Sequence, residues 1–287
     1  MPAGRLKLPA KKMGLPLEGG NSNLRFSPNG KHLAYVRISR NGKTSLCVRD
    51  LEKGQDRPIP FDLQSLYPQW SLDGKEIFVK GQDWQNRRGI YKVSTQTWDV
   101  APMSDQEVPR SNVVVSPDGR MLFIALWEGM SMNRILVRDL EKATDKELLS
   151  QGGTQPLSIA LSPDGRWLAF VNREIERHLK IIPATGGEPR TLCTWSQRGH
   201  PSDPVWTKDG GNILFSKNVK KELWSISIDG GEPLKLGESN SSIDAPDIHP
   251  DGHQIAFSSM TRAGSSGVWV MENFLPKNDP VKKQREQ

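Results

Sequence analysis

The chain has 287 residues, a net charge of +6 and two cysteines. That length holds one or two domains. No apolar run reaches the ~18 residues of a membrane-spanning helix, and MPAGRLKLPAKK has charges with no apolar stretch after them, so neither a transmembrane segment nor a signal peptide is expected.

In chain order, one phrase recurs six times. It reads FSPNG ending at Gly30, WSLDG at Gly74, VSPDG at Gly119, LSPDG at Gly165, WTKDG at Gly210 and IHPDG at Gly252. A period near 45 residues is the mark of a ring or stack of repeated units. Each phrase is a hairpin turn: Ser bonds its own backbone, Pro presets φ, Asp suits the third position, and Gly accepts a left-handed conformation at the fourth. Short apolar strands flank it. Unit one runs NLRF, turn, HLAYV, SLCVRDL and RPIPF. Unit two has PQW, EIFVK, GIYKVST and WDVAPM. Units three and four have NVVV, MLFIAL, RILVRDL and KELLS, then SIAL, WLAFV, LKIIPAT and PRTLCT. Unit five has PVW, NILFS, LWSISID and PLKLG, and unit six PDI, QIAFS and VWVMEN. No segment keeps a 3.6-residue apolar period over helix length.

Four strands per ~45 residues is the blade of a β-propeller. The expected fold is all-β, a six-bladed propeller with four antiparallel strands per blade, over residues 1–276, followed by a polar tail at 277–287. Unit six lacks a fourth strand. GRLKLPA near the N-terminus reads like EPLKLGE at 232–238, so Leu6–Leu8 (within residues 5–8) are expected to complete the last blade and close the ring. Cys47 and Cys193 then lie roughly across the ring, too far apart for a disulfide. Trp70 and Trp206 fill the slot before their turns and are expected as wedges between blades.

The six phrases resemble the repeats of TolB-like, WD-repeat-like β-propellers over about residues 22 to 276. Units two, five and six depart from the family phrase, with Leu72 and Lys208 in place of Pro and His249 in place of Ser. The resemblance implies a propeller of the kind used in Tol–Pal envelope complexes, ahead of prolyl-oligopeptidase-type catalytic domains, or as sensor-like C-terminal parts of bacterial kinases and winged-helix regulators. VWVMENFLP looks most like the last group. It also implies the extracytoplasmic part of a larger membrane-anchored bacterial protein; a full-length chain of this kind would be cytoplasmic.

Catalytic signatures are not found. GSSG at 264–267 lacks the spacing and context of a nucleophile elbow. No phosphate-binding Gly-rich loop, Cys-x-x-Cys or His-Glu-x-x-His occurs. His249 and His253 flank a tight turn, and the repeated Asp of the phrases shapes turns. Where the chain enters the inner strands, Asn23, Tyr67, Asn112, Ser158 and Asp203 occupy equivalent places, with Asp244 and Asp247 near the sixth. These residues are expected at the channel mouth, where a ring of oxygen donors could hold a cation; otherwise no cofactor is expected.

Most of the net charge falls on the face opposite the turns. Loops between second and third strands carry a net +8, against −3 in the between-unit loops of that face. Arg37, Arg40, Lys43, Arg87, Arg88, Lys220 and Lys221 lead it, with Trp84 among them. Such a patch suits an acidic protein segment. The expected function is a non-catalytic binding or sensing module for a protein, peptide or small ligand, monomeric and not a nucleic-acid binder. The alternative is a propeller hydrolase or lyase with a carboxylate or metal site near Asp203 and Asp244.

Overall fold

The computed structural model describes residues 10–15, 20–59, 68–82, 85, 88–103, 112–128, 132–151, 155–173, 176–196, 204–217, 221–239, 242–260, 266–272 and 274. Its regular structure is 24 strands in six four-stranded antiparallel sheets. Sheets follow the chain from inner to outer strand, one blade per repeat. The inner strands are Gly20–Phe26, Gln69–Trp70, Asn112–Val115, Gln155–Leu161, Val205–Trp206 and Asp244–Ile248.

The repeated phrase folds as its chemistry dictates. The six turn glycines have φ between +67° and +75°, a region costly for any residue with a Cβ. In blade 4, Gly165 N–H donates to Ser162 O at 2.9 Å. Ser162 Oγ donates to Asp164 Oδ1 at 2.6 Å and accepts from Trp167 N–H at 2.9 Å; Asp164 Oδ1 accepts from Arg166 N–H at 3.0 Å. This network holds the Asp164 carboxyl down at about 2, Ser162 being the largest cause. Blades 2, 3 and 5 repeat it with Ser71, Ser116 and Thr207. Leu72 and Lys208 do not disturb the turn, because the closing bonds come from Ser or Thr and Asp.

Strand alternation builds the core. Successive side chains point to opposite faces of a blade. In blade 1, Ala34 and Val36 enter the cluster shared with blade 2, while Leu33 and Tyr35 enter the cluster shared with blade 6. Each of the six blade interfaces has one such buried cluster. Residues such as Leu33, Ile77 and Phe257 are fully buried in them, where truncation to Ala costs about 2–5 kcal/mol. The expected wedges are placed accordingly. Trp206 is buried between blades 4 and 5, and Trp70 packs on the cluster between blades 1 and 2.

An N-terminal strand closes the ring. Ala10–Lys12 pairs antiparallel with Ser266–Glu272, placing Lys11 opposite Val270, and Met13 N–H extends the ladder to Val268 O at 2.8 Å. The described closing strand therefore lies a few residues after Leu6–Leu8, which are outside the described residues. Cys47 and Cys193 are free thiols, Cys47 buried and Cys193 half-buried. Burial pushes the Cys193 thiol up to about 11, partly offset by Lys217. No helix among the described residues is long and apolar enough to cross a membrane.

Candidate functional site

Six inner strands surround one axis, and a cavity of about 350 Å³ runs along it. Its walls follow the repeat. Five residues before each turn glycine stand Arg25, Gln69, Val114, Ala160, Val205 and Asp247, and all six line the cavity. Two residues before each glycine stand Pro28, Leu72, Pro117, Pro163, Lys208 and Pro250, which line its turn-side end. Leu72, where four other blades have Pro, is 68% exposed.

An inner strand has one edge without a strand partner, so its backbone groups there need bonds from elsewhere. Neighbouring blades supply them. Trp70 Nε1–H donates to Arg25 O at 3.0 Å, and Trp206 Nε1–H donates to Ala160 O at 3.0 Å. Val115 N–H donates to Gln69 Oε1 at 2.6 Å, and Phe26 N–H donates to Asp247 Oδ2 at 2.6 Å. These pairs link one blade to the next at the same two positions of the repeat.

The first of these rings is two-faced. Blades 6, 1 and 2 contribute Asp247, Arg25 and Gln69; blades 3, 4 and 5 contribute Val114, Ala160 and Val205. Burial pushes the Asp247 carboxyl up to about 6, partly offset by the Arg25 charge, the Phe26 and Ile248 amides and His249. Arg25 donates one Nη1 bond to Leu24 O at 2.8 Å. At the turn beyond Asp247, His249 replaces the usual Ser. Its Nε2 lies 3.0 Å from Gly30 O in blade 1, and its ring sits edge-on to Phe26 at 4.9 Å.

Of the expected channel-mouth residues, Asn112, Ser158 and Asp247 line the cavity. Asn23 lies at a bulge of its inner strand with φ +49°, and Ala245, its equivalent in blade 6, has φ +44°. Asp244 is one residue before that place. Its carboxylate accepts from Ser242 Oγ at 2.6 Å and its carbonyl from Ser258 Oγ at 3.0 Å. The blade 6 carboxylate on the axis is Asp247. Tyr67 and Asp203 lie outside the described residues. Among the described residues, no three His, Cys, Asp or Glu side chains come together as metal ligands would.

The loop-face cations stand on blades 1, 2 and 5. Arg37 is half-buried at the end of its strand; Arg40, Lys43 and Lys221 are exposed. Arg88 begins the strand Arg88–Ser94. Trp84, Arg87 and Lys220 lie outside the described residues. Arg40 and Lys43 sit on a further copy of the turn, Ser39-Arg40-Asn41-Gly42. Gly42 has φ +81°, Ser39 Oγ donates to Asn41 Oδ1 at 2.6 Å, and Lys43 N–H donates to the same oxygen at 3.1 Å.

Of the axial set, Asp247 was expected near the channel mouth, whereas Arg25 and Gln69 were missed at the level of sequence, though a signal existed. In the aligned repeats the three are the polar residues of a column whose other members are Val, Ala and Val. The expected ring of oxygen donors is the column two places earlier.

No protein-family model matches the chain. It is 23% identical over 205 residues to the uncharacterized peptidase YuxL of Bacillus subtilis, covering 68% of this chain and 29% of that protein. To the Tol-Pal system protein TolB of Francisella tularensis it is 24% identical over 252 residues, 82% of this chain and 56% of that one. The chain thus spans about half or less of the length of these curated relatives. The crystal structure of TolB from Acinetobacter baumannii superposes with a TM-score of 0.60 at 20% identity, over 75% of this chain and 56% of that one. Oligogalacturonate lyase from Vibrio parahaemolyticus superposes with a TM-score of 0.62 at 13% identity, over 95% and 98%. In fold, the chain is a TolB-like six-bladed β-propeller.

Proposed function

We propose that this chain is a non-catalytic binding module that takes a protein segment or small ligand at the propeller axis. The axial cavity carries the reading. Six strands each place one side chain at the same level of it, and the walls are mostly apolar with a few polar groups, the usual make-up of a ligand site. Likeness to proteins named for the Tol-Pal system supports a protein or peptide as the ligand. The basic loop face belongs to the same proposal. Arg40 and Lys43, held in a tight turn, together with Arg37, Trp84, Arg87, Arg88, Lys220 and Lys221, would attract an acidic segment and speed its encounter. A sensor-like role in a longer extracytoplasmic bacterial protein is part of the proposal, consistent with the partial span of its relatives.

The test is titration with an oligo-glutamate peptide at two salt concentrations. Affinity should fall at the higher salt, because exposed charges are screened within ~8 Å at physiological ionic strength. Arg40→Glu with Lys43→Glu, and Arg87→Glu with Arg88→Glu, should each weaken binding at an unchanged melting temperature. Binding indifferent to salt and to both pairs would overturn the acidic-partner part.

One observation favours a second reading, an enzyme. A carboxyl titrating near 6 beside an arginine in a cavity is suited to acid–base work, and the lyase likeness supplies a first substrate to try. Turnover of oligogalacturonate by the wild type, abolished by Asp247→Asn, would replace the binding reading.

A further inference from the structure

We infer that the axial cavity recognises an apolar amino-acid unit bearing a free carboxylate, either as a free acyl amino acid or as the C-terminal residue of a protein chain. The inference rests on the axial reading above and adds the ligand's chemistry.

The polar arc offers its groups in a defined order. Asp247 is an acceptor; one oxygen takes the Phe26 amide, and a carboxylate has room for further donors. Arg25, beside it in the ring, is a planar fork of five N–H donors, one of which is bonded to Leu24 O. Gln69 comes next. Its Oε1 is committed to the Val115 amide, which orients the carboxamide and leaves its NH₂ as the donor end. The arc therefore reads acceptor, donor fork, donor. An amino-acid unit with a free carboxylate presents the complement: an N–H, then a carboxylate one carbon away. Arg matches a carboxylate in two-point geometry, which a neutral amide does not reproduce.

At the same level the opposite arc is apolar. Val114, Ala160 and Val205 have no side-chain polar atoms, and Ile159 and Trp206 line the cavity with them, while Asn112 and Ser158 stand two places earlier in the repeat and Lys208 three places later. A charged or hydroxylated side chain held at this level would lose its water against Val114, Ala160 and Val205, which offer it no partner; an aliphatic one is favoured by burial. About 350 Å³ is at the small end of ligand sites and admits a short unit, not a domain.

Trp70 and Trp206 line the cavity and donate indole N–H bonds to its wall, so their indole resonances report on occupancy. Each would be assigned from its Trp→Phe variant. The probes are N-acetyl-leucine, N-acetyl-leucinamide, isoamyl alcohol, and a pentapeptide ending in leucine with a free or an amidated carboxyl. The free-carboxylate probes should shift both indoles and bind about tenfold or more tighter than their amidated forms, the contribution of a charge-assisted hydrogen bond. Arg25→Gln should erase that preference. Gln69→Glu keeps an acceptor for the Val115 amide but adds a negative charge; it should abolish binding of the carboxylates and spare the amide. Thermal melts check that both variants fold.

Binding of the pentapeptide but not of N-acetyl-leucine assigns the site to a protein C-terminus; the converse assigns it to a small molecule. Either supports the inference. Equal affinity for acid and amide, a preference that survives both variants, or isoamyl alcohol binding as tightly as N-acetyl-leucine overturns the ligand class and leaves axial binding standing. Indole resonances unmoved by every probe overturn both.

Discussion

The backbone N–H of Phe26 donates to Oδ2 of Asp247 at 2.6 Å, joining residues 221 apart across the seam between the first and last blades. Val115 and Gln69 make the same bond 46 residues apart, between blades 2 and 3. A side chain five before one turn glycine thus meets the backbone four before the next, and in two further interfaces a tryptophan makes the reciprocal link. The groups that tie the ring together also line its cavity, so stability and ligand chemistry meet in the same residues.

Asp247 gives that coupling a pH signature. Its carboxyl is raised to about 6 in the folded chain, from an ordinary value of 3.8. A raised acid binds more protons folded than unfolded, so its contribution to stability falls as pH rises through roughly 4 to 6 and is level above. Asp247→Asn retains an acceptor for Phe26 and has no charge. The wild type should lose melting temperature relative to Asp247→Asn across that window, and the variant should be at least as stable at pH 7. A difference between the two that does not change with pH would refute this.

Two turn glycines should differ in cost. Gly119 and Gly165 have φ of +74° and +72°, and a Cβ at either carries a left-handed penalty of about 1–2 kcal/mol. A Cβ on Gly119 would also lie 2.9 Å from Phe78 Cζ, whereas on Gly165 its nearest neighbour is Pro117 Cδ at 3.8 Å. Phe78 is buried in the cluster between blades 2 and 3 and has little room to move. Chemical denaturation should therefore rank Gly119→Ala as the more damaging of the two. Equal losses would show that backbone strain alone sets the cost.

Trp206→Phe cuts one link between blades. The indole N–H to Ala160 O is lost, and the smaller ring leaves part of its slot between blades 4 and 5 unfilled. Removing one such bond typically costs about 0.5–1.5 kcal/mol, more if the carbonyl stays dry. Denaturant melts should show a loss of at least that size with an unchanged m-value. A neutral result would mean that water replaces the indole at Ala160.

Deleting residues 1–12 should open the ring. The strand Ser266–Glu272 then loses its outer partner and keeps only Gln254–Met260, leaving unpaired backbone along an edge. A lower melting temperature and concentration-dependent association by light scattering are expected. A variant that stays monomeric and melts with the wild type would show that the strand is dispensable.

The sequence by itself determined the architecture, because each turn is a local device. Ser or Thr, Asp and Gly close a hairpin through bonds spanning two to five residues, so six phrases spell six blades without knowledge of anything distant. Strand alternation was legible for the same reason: a period of two sends Leu33 and Tyr35 one way and Ala34 and Val36 the other. Which residues meet at the axis was decided by the tertiary structure. Asp247, Arg25 and Gln69 are far apart in the chain and become neighbours only when the ring closes. Facing the axis depends on how each inner strand enters its blade, and bulges at Asn23 and Ala245 change that entry. The closing strand was settled in the same way. The pairing described for it, Ala10–Lys12 with Ser266–Glu272, is a long-range match between the two ends of the chain.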